Sequence, residues 1–332
     1  MPSQLDPNDI RIFSGRSNPS LAEGIASYLS IPLEETYRKP FANDNLWVQL
    51  GASVRGRAVF IIQSLVPPVS DNLLELLMML DIARSAAARE VHAIIPYFSY
   101  ARSDKKDAPR VSIAARLIAD LLKTAGATHV MTMTLHSPQV HGFFSVPTDP
   151  LTARGLFADY FRPRGFTAKD TVVVSTDIGH AKAAARFARG LGNLPVAAGN
   201  KTRLTDTQVK IEGLVGAQIQ GFQRALVYDD EIATGGSVYE VCQLLVKGGI
   251  KEVIVICTHG LFIGPAQERL ASIPAITEIV TTDTIPQENR SIPMKVLSVA
   301  PVFGEAIKRN YLRESIGGLF SYWTDDDESL ET

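Results

Sequence analysis

Cysteine is nearly missing from these 332 residues. Only Cys242 and Cys257 occur, too few for a disulfide scaffold or a structural zinc site. Both lie in apolar runs, Val241–Leu245 and Val253–Cys257, and read as small buried hydrophobes in a reducing compartment. An excess of positive charge is also missing. Lys and Arg number 33 against 35 Asp and Glu, which excludes the global basicity of a non-specific nucleic-acid binder. No window reaches the roughly 18 apolar residues of a membrane span, and the polar stretch Met1–Asp9 has no signal-peptide core. These absences predict a cytoplasmic chain with neither membrane nor nucleic-acid partners. P-loop, Gly-x-Gly-x-x-Gly, Cys-x-x-Cys and His-Glu-x-x-His patterns do not occur, which sets aside P-loop kinases, simple dinucleotide enzymes and the common zinc classes.

What is present is a globular composition, 45 % hydrophobic and 20 % charged, at a length that fits two domains of about 150 residues each. Short β-branched runs alternate with helical patterns. Strands are predicted at Ala58–Gln63, Val91–Ile95, His129–Met133, Thr171–Ser175, Ala225–Tyr228 and Glu252–Thr258. Helices are predicted at Asp71–Arg89 behind an Asp71 cap, Ile113–Ala125 stopped by Gly126, Ala181–Gly190 and Ser237–Lys247. This grammar implies an α/β fold of mainly parallel sheets flanked by helices, in two halves joined near residues 147–156. The acidic stretch Asp325–Glu328 reads as a solvated tail.

The densest chemistry lies in Ala225-Leu-Val-Tyr-Asp-Asp-Glu-Ile-Ala-Thr-Gly-Gly-Ser237. An apolar strand there ends in paired acids and a small, hydroxyl-rich turn enters a helix. Thr234, Gly235, Gly236 and Ser237 can offer N–H groups and hydroxyls to a phosphate at a helix N-terminus. Asp229 and Asp230 can accept hydrogen bonds from vicinal sugar hydroxyls.

This segment resembles the phosphoribosyl-diphosphate motif of type I phosphoribosyltransferases. Arg11-Ile-Phe-Ser-Gly-Arg-Ser-Asn-Pro19, Ile61-Ile-Gln-Ser64, Ile95-Pro-Tyr-Phe-Ser-Tyr-Ala-Arg-Ser-Asp104 and Leu135-His-Ser-Pro-Gln-Val-His-Gly-Phe-Phe144 then resemble the ribose-phosphate diphosphokinases, collinearly from about Arg11 to Phe320. The resemblance implies two tandem phosphoribosyltransferase-type domains: residues 1–152 on the nucleotide side and 153–305 on the ribose-phosphate side, followed by a C-terminal segment and acidic tail, 306–332. It implies transfer of the β,γ-diphosphoryl group of ATP to the 1-hydroxyl of ribose 5-phosphate. It also implies a Mg2+ cofactor held by His136 and Asp177, ATP contacts from Arg102, Asp104 and His136, and catalytic cations Lys201 and Arg203 on a mobile loop. Phe41, with Asn43 and Asn45, would reach the adenine of a neighbouring subunit in a homo-oligomer such as a hexamer. A single-domain phosphoribosyltransferase would leave the N-terminal half without a role.

Several positions depart from the family. Asn43 and Asn45 replace two acids that flank a glycine, where this chain has Asp44. Ala233 replaces the last Asp of Asp-Asp-x-x-Asp-Thr, His180 a glycine, Ala183 an arginine and Thr134 the acid before Leu-His. These changes keep open a different nucleotide, a larger acceptor such as ADP-ribose, and a non-catalytic paralogue that regulates an active synthetase.

Overall fold

The structure, a computed structural model, describes residues 4–203, 209–287 and 292–319, with the side chains of 201–203 and 209–212 outside the description. The acidic tail lies outside the described residues. Two units divide the chain. Unit 1 holds the chain through Thr152, with Thr284–Pro286 and the segment from Ser298; unit 2 holds Ala153–Asp283 and 287–297.

Unit 1 begins with β1 (Ile10–Ser14) and α1 (Pro19–Leu29). The Asn18 side chain caps that helix by accepting from the Leu21 amide, and Pro19 occupies the first turn, where its missing N–H costs nothing. Then follow β2 (Leu33–Glu34), β3 (Thr36–Pro40), β4 (Leu46–Leu50), β5 (Ala58–Ile62), α2 (Val69–Ser85), β6 (Glu90–Ile95), α3 (Ala114–Ala125), β7 (His129–Met133) and β8 (Thr148–Leu151). Six strands make a parallel sheet in the order β2-β1-β5-β6-β7-β8, while β3 and β4 form a separate antiparallel hairpin. Every residue of β5 and β7 is buried, as a parallel sheet covered on both faces requires.

Helix α2 differs from the sequence pattern at both ends. It starts two residues before Asp71, which lies in the first turn rather than at the cap. It stops at Ser85 because Ala87 is left-handed, φ 61°, and Ala88 returns its N–H to the Ala83 carbonyl. An Ala-Ala-Ala run hides that stop, since the left-handed position carries no glycine.

Unit 2 contains α4 (Arg154–Phe161), β9 (Thr171–Ser175), α5 (Ala181–Gly190), β10 (Val196–Arg203), β11 (Val209–Gly216), β12 (Arg224–Ile232), α6 (Gly236–Lys247), β13 (Glu252–Gly260), α7 (Ala266–Ala271), β14 (Ile276–Thr282) and β15 (Met294–Leu297). Its seven strands run β11-β10-β9-β12-β13-β14-β15, parallel except for the β10–β11 pair. The last helix, α8 (Ala300–Leu312), belongs to unit 1 and packs on α1. Gly304 is required there, because a Cβ would lie 2.3 Å from the Tyr28 ring.

A buried polar chain crosses the edge of the unit 1 sheet. His92 Nδ1 and His129 Nδ1 are 3.0 Å apart, His129 Nε2 lies 2.7 Å from Asp149 Oδ2, and His92 Nε2 lies 3.3 Å from Glu90 Oε2. Burial lowers the His92 pKa from its ordinary 6.5, outweighing the hydrogen bond with Glu90, which raises it. A lowered folded pKa means that the stabilisation is present above the unfolded value of 6.5 and is lost as pH falls below it. Between pH 7 and pH 5 the wild type is expected to lose stability more steeply than His92→Gln. Urea unfolding at the two pH values measures this; parallel losses in both proteins would refute the assignment.

Candidate functional site

The central strand of unit 2 carries its chemistry at its carboxyl end, where ligands of parallel α/β sheets gather. Strand β12 is buried from Ala225 to Ile232, and Asp229 and Asp230 are 9 % and 4 % exposed. Its neighbours fix the register: Tyr228 pairs with Ser175 on β9 and Asp229 with Cys257 on β13. Thr176 donates its hydroxyl to Asp229 Oδ2 (2.5 Å), and the Asp230 amide donates to Asp229 Oδ1 (2.9 Å). Burial and then the charge of Asp230 hold the Asp229 carboxyl well above the usual carboxylate range.

The β9–α5 loop closes one side of this acid pair. The His180 amide donates to Asp177 Oδ1 (3.0 Å), and Ser175 Oγ donates to the Asp177 carbonyl (2.6 Å). The imidazole of His180 stacks on Tyr228, which stacks in turn on Phe187. His180, Asp229 and Asp230 each bring a ligand atom within 4.8 Å of the other two. His180 joins the cluster three residues after Asp177. The departure from glycine was visible in the sequence, but the stack that aims the ring was not.

The β12–α6 turn lies just beyond. Gly235 is left-handed, φ 73°, and a Cβ on it would lie 3.4 Å from Ala266 Cα. It precedes α6, whose N-terminus has no side-chain cap, so the first-turn N–H groups of Gly236 and Ser237 face outward from the helix end. Arg269 on α7, which sequence patterns did not single out, donates from Nη1 to the Thr234 carbonyl (3.0 Å).

In unit 1, the segment after β7 alternates in burial. Leu135 and Ser137 are 9 % and 7 % exposed, while His136 between them is exposed. Thr134, immediately before, is left-handed at φ 43°, an uncommon geometry for a β-branched residue. Ser137 donates to Asp104 Oδ2 (2.6 Å) and so ties the Arg102–Asp104 segment to the His136 segment. Phe41, Asn43 and Asn45 are exposed at the tip of the β3–β4 hairpin. There the Phe41 amide donates to the Asn45 carbonyl, and Asp44 is left-handed at φ 66°. The hairpin base is held from below. Arg38 Nε lies 2.7 Å from Oε1 of the fully buried Glu75, whose Oε2 accepts from Arg16 and Gln63.

The backbone of Lys201 and Arg203 runs in β10, paired antiparallel with β11 and bulged at Asn200/Lys201. Their side chains, and residues 204–208, lie outside the described residues. The two cysteines are buried, and burial pushes the Cys242 thiol up to about 12, as expected of inert packing groups.

The raised Asp229 pKa makes a stability prediction. A group whose folded pKa lies above its unfolded value of 3.8 stabilises the fold only while protonated, so its contribution is lost as pH rises toward the folded value. In chelator-treated protein, Asp229→Asn is expected to be more stable than wild type at pH 7 by about 1 kcal/mol, with the gain shrinking toward pH 4. Denaturant midpoints at both pH values test it; a destabilised variant at pH 7 would contradict the account from burial and the neighbouring charge of Asp230.

Comparison with known proteins places nearly the whole chain in one family. Residues 10–126 match the N-terminal domain of ribose phosphate pyrophosphokinase, and residues 206–321 match the phosphoribosyl synthetase-associated domain. A protein of Streptomyces coelicolor is 48 % identical over 94 % of this chain and 98 % of its own length. The ribose-phosphate pyrophosphokinase of Deinococcus radiodurans is 44 % identical over 93 % of this chain and 97 % of its own. The crystal structure of phosphoribosylpyrophosphate synthetase from Mycobacterium smegmatis superposes with a TM-score of 0.84 at 36 % identity, covering 92 % of this chain and 99 % of that one. With acid pair, hydroxyl-rich turn and likeness running along nearly the whole length, this chain belongs to the ribose-phosphate pyrophosphokinase family.

Proposed function

We propose that the chain transfers the β,γ-diphosphoryl group of ATP to the 1-hydroxyl of ribose 5-phosphate, releasing phosphoribosyl diphosphate and AMP, and that the residues above divide the work between the two substrates. The observation that carries this reading is the buried Asp229–Asp230 pair beside an uncapped helix N-terminus on one strand end. The carboxylates accept the vicinal ribose hydroxyls. The Thr234–Ser237 turn takes the 5-phosphate, through backbone N–H groups and two hydroxyls. Together they fix the sugar at both ends and leave the 1-hydroxyl as the nucleophile.

The nucleotide falls to unit 1. Arg102 suits a bidentate grip on phosphate oxygens, Asp104 holds the segment in place through Ser137, and the exposed His136 faces the polyphosphate. Phe41 stacks on the base, while Asn43 and Asn45 offer donors and acceptors to its edge, in a neighbouring subunit of a homo-oligomer. Lys201 and Arg203 supply positive charge to the diphosphoryl group in transit, where stabilisation counts most. No protein nucleophile is required, because the acceptor hydroxyl attacks the β-phosphorus directly.

Magnesium suits these donors. In unit 2, Asp177 with the neighbouring acid pair offers the hard oxygen atoms that Mg2+ prefers; His136 of unit 1 is the further ligand that the family resemblance implies. The ion would neutralise the triphosphate and orient it. No described helix is long and apolar enough to cross a membrane, and we place the enzyme in the cytoplasm.

Purified protein with Mg2+ and ATP is expected to form AMP with ribose 5-phosphate, but not without an acceptor, and phosphorus NMR should show a new anomeric diphosphate ester. Activity confined to ADP-ribose would reassign the acceptor; silence with every acceptor and nucleotide would leave a regulatory paralogue. Lys201→Ala should lower kcat by about 100- to 1,000-fold while leaving the KM for ribose 5-phosphate within about threefold, as loss of a transition-state contact does. An equal rise in KM with kcat intact would move Lys201 to substrate binding.

A further inference from the structure

Four successive carbonyls of the β12–α6 turn are held by hydrogen bonds. The Ile232 carbonyl accepts from the amides of Leu261 (3.0 Å) and Phe262 (3.1 Å), and that of Ala233 from the amide of Ile263 (3.0 Å). The Gly235 carbonyl accepts from the Tyr239 amide (2.9 Å) as α6 begins. The Thr234 carbonyl has no backbone donor in this series. It is taken instead by Arg269 Nη1 at 3.0 Å.

In a planar trans peptide the carbonyl and the following N–H point in opposite directions. Fixing the carbonyls of residues 232–235 therefore turns each N–H group of 233–236 away from the partner that holds the preceding carbonyl. Three of those peptides are oriented by main chain. The fourth, between Thr234 and Gly235, depends on a single side chain. A Cβ on Gly236 would sit 3.7 Å from Arg269 Nη1, so the guanidinium lies close against the turn. Its partner loop is equally constrained: Phe262 is left-handed at φ 47°, and a Cβ on Gly260 would lie 2.3 Å from its ring.

We infer that Arg269 is a positioning residue for the acceptor's phosphate. It orients the Thr234–Gly235 peptide so that the Gly235 N–H joins its neighbours in facing an anion. Its nearby charge adds to the positive potential of the helix end. Lysine could supply one donor to the same carbonyl but not the planar fork that fixes direction. This inference rests on the reading of Thr234–Ser237 as the phosphate turn.

The test compares wild type with Arg269→Ala, Arg269→Lys and Ser237→Ala, reading KM and kcat for ribose 5-phosphate, KM for ATP, and thermal midpoints. Arg269→Ala is expected to raise the KM for ribose 5-phosphate at least tenfold, with kcat and the KM for ATP within about threefold, and Arg269→Lys to recover part of the loss. Competition by inorganic phosphate should weaken in parallel in Arg269→Ala. A folded Arg269→Ala with unchanged KM for ribose 5-phosphate, while Ser237→Ala raises it, overturns the role of Arg269 and leaves the phosphate turn standing. Both variants unchanged overturns the phosphate turn itself, and the inference with it. Loss of both KM values together with a lower thermal midpoint, unrelieved by Arg269→Lys, assigns Arg269 to structure alone.

Discussion

Burying Asp229 and Asp230 side by side is the arrangement that the rest of unit 2 is built to support. A carboxylate removed from water loses its hydration, and a second one beside it adds repulsion. Among the described contacts, the Thr176 hydroxyl and the Asp230 amide both donate to Asp229, and the imidazole of His180 stands 3.9 Å from Asp230. Parallel pairing on both sides of β12 makes this workable. Pairing with β9 and β13 fixes the register, so the acids keep their place at the carboxyl end. The same registry delivers the turn that follows them. The acid pair and the hydroxyl-rich turn, which the proposed function assigns to a diol and a phosphate, are thus set a fixed distance apart by one strand and one turn.

Unit 1 meets a similar constraint differently. Glu75 on α2 is wholly buried, yet two arginines and a glutamine converge on its carboxylate. The arginines are about one-third exposed, 35 % and 30 % at their side chains, so their charge is partly hydrated and the net worth of the pairs is modest. What the cluster achieves is placement. Arg38 also donates to the Ser14 carbonyl at the end of β1 (2.8 Å), so one side chain links the base of the β3–β4 hairpin to both the sheet and α2. A two-stranded hairpin is marginal on its own. Its exposed tip, with Phe41, Asn43 and Asn45, keeps its position because its base is fastened to a buried charge.

The interior strands were legible because pairing on both sides buries them at every position and keeps them rich in apolar, β-branched residues: Ala58–Ile62, His129–Met133 and Thr171–Ser175 stand out on composition. The hairpin was not read, since Thr-Tyr-Arg-Lys-Pro is mostly exposed and carries no alternation. β1 escaped notice as a strand for another reason. Its five residues, Ile-Arg-Ile-Phe-Ser, are too few to separate from a loop until pairing with β5 is known. In the site, Asp229, Asp230 and Thr234–Ser237 were visible as a run of functional groups in one segment. Arg269 and Thr176 were not, because each meets that segment only through the sheet, from 35 and 53 residues away in sequence. Local pattern reveals groups that share a turn; groups that share only a fold are invisible to it.

The departures from the family fall into the same two kinds. At the hairpin tip the backbone still demands a left-handed residue, and Asp44 supplies it where glycine would be free of strain. Aspartate visits that region more readily than most residues, so the turn survives while the chemistry changes. Two acids flanking a glycine have become two amides flanking one acid, and the carboxylate has moved into the turn itself. The turn at Thr134 reverses that pattern. Its left-handed backbone is one that an acid would tolerate better than a β-branched threonine. Threonine removes the charge there and adds strain two residues before His136, with its amide donating to the Leu151 carbonyl (2.9 Å). At both places a left-handed backbone carries a residue other than glycine, and the charge beside the proposed nucleotide contacts differs from that of the family motif.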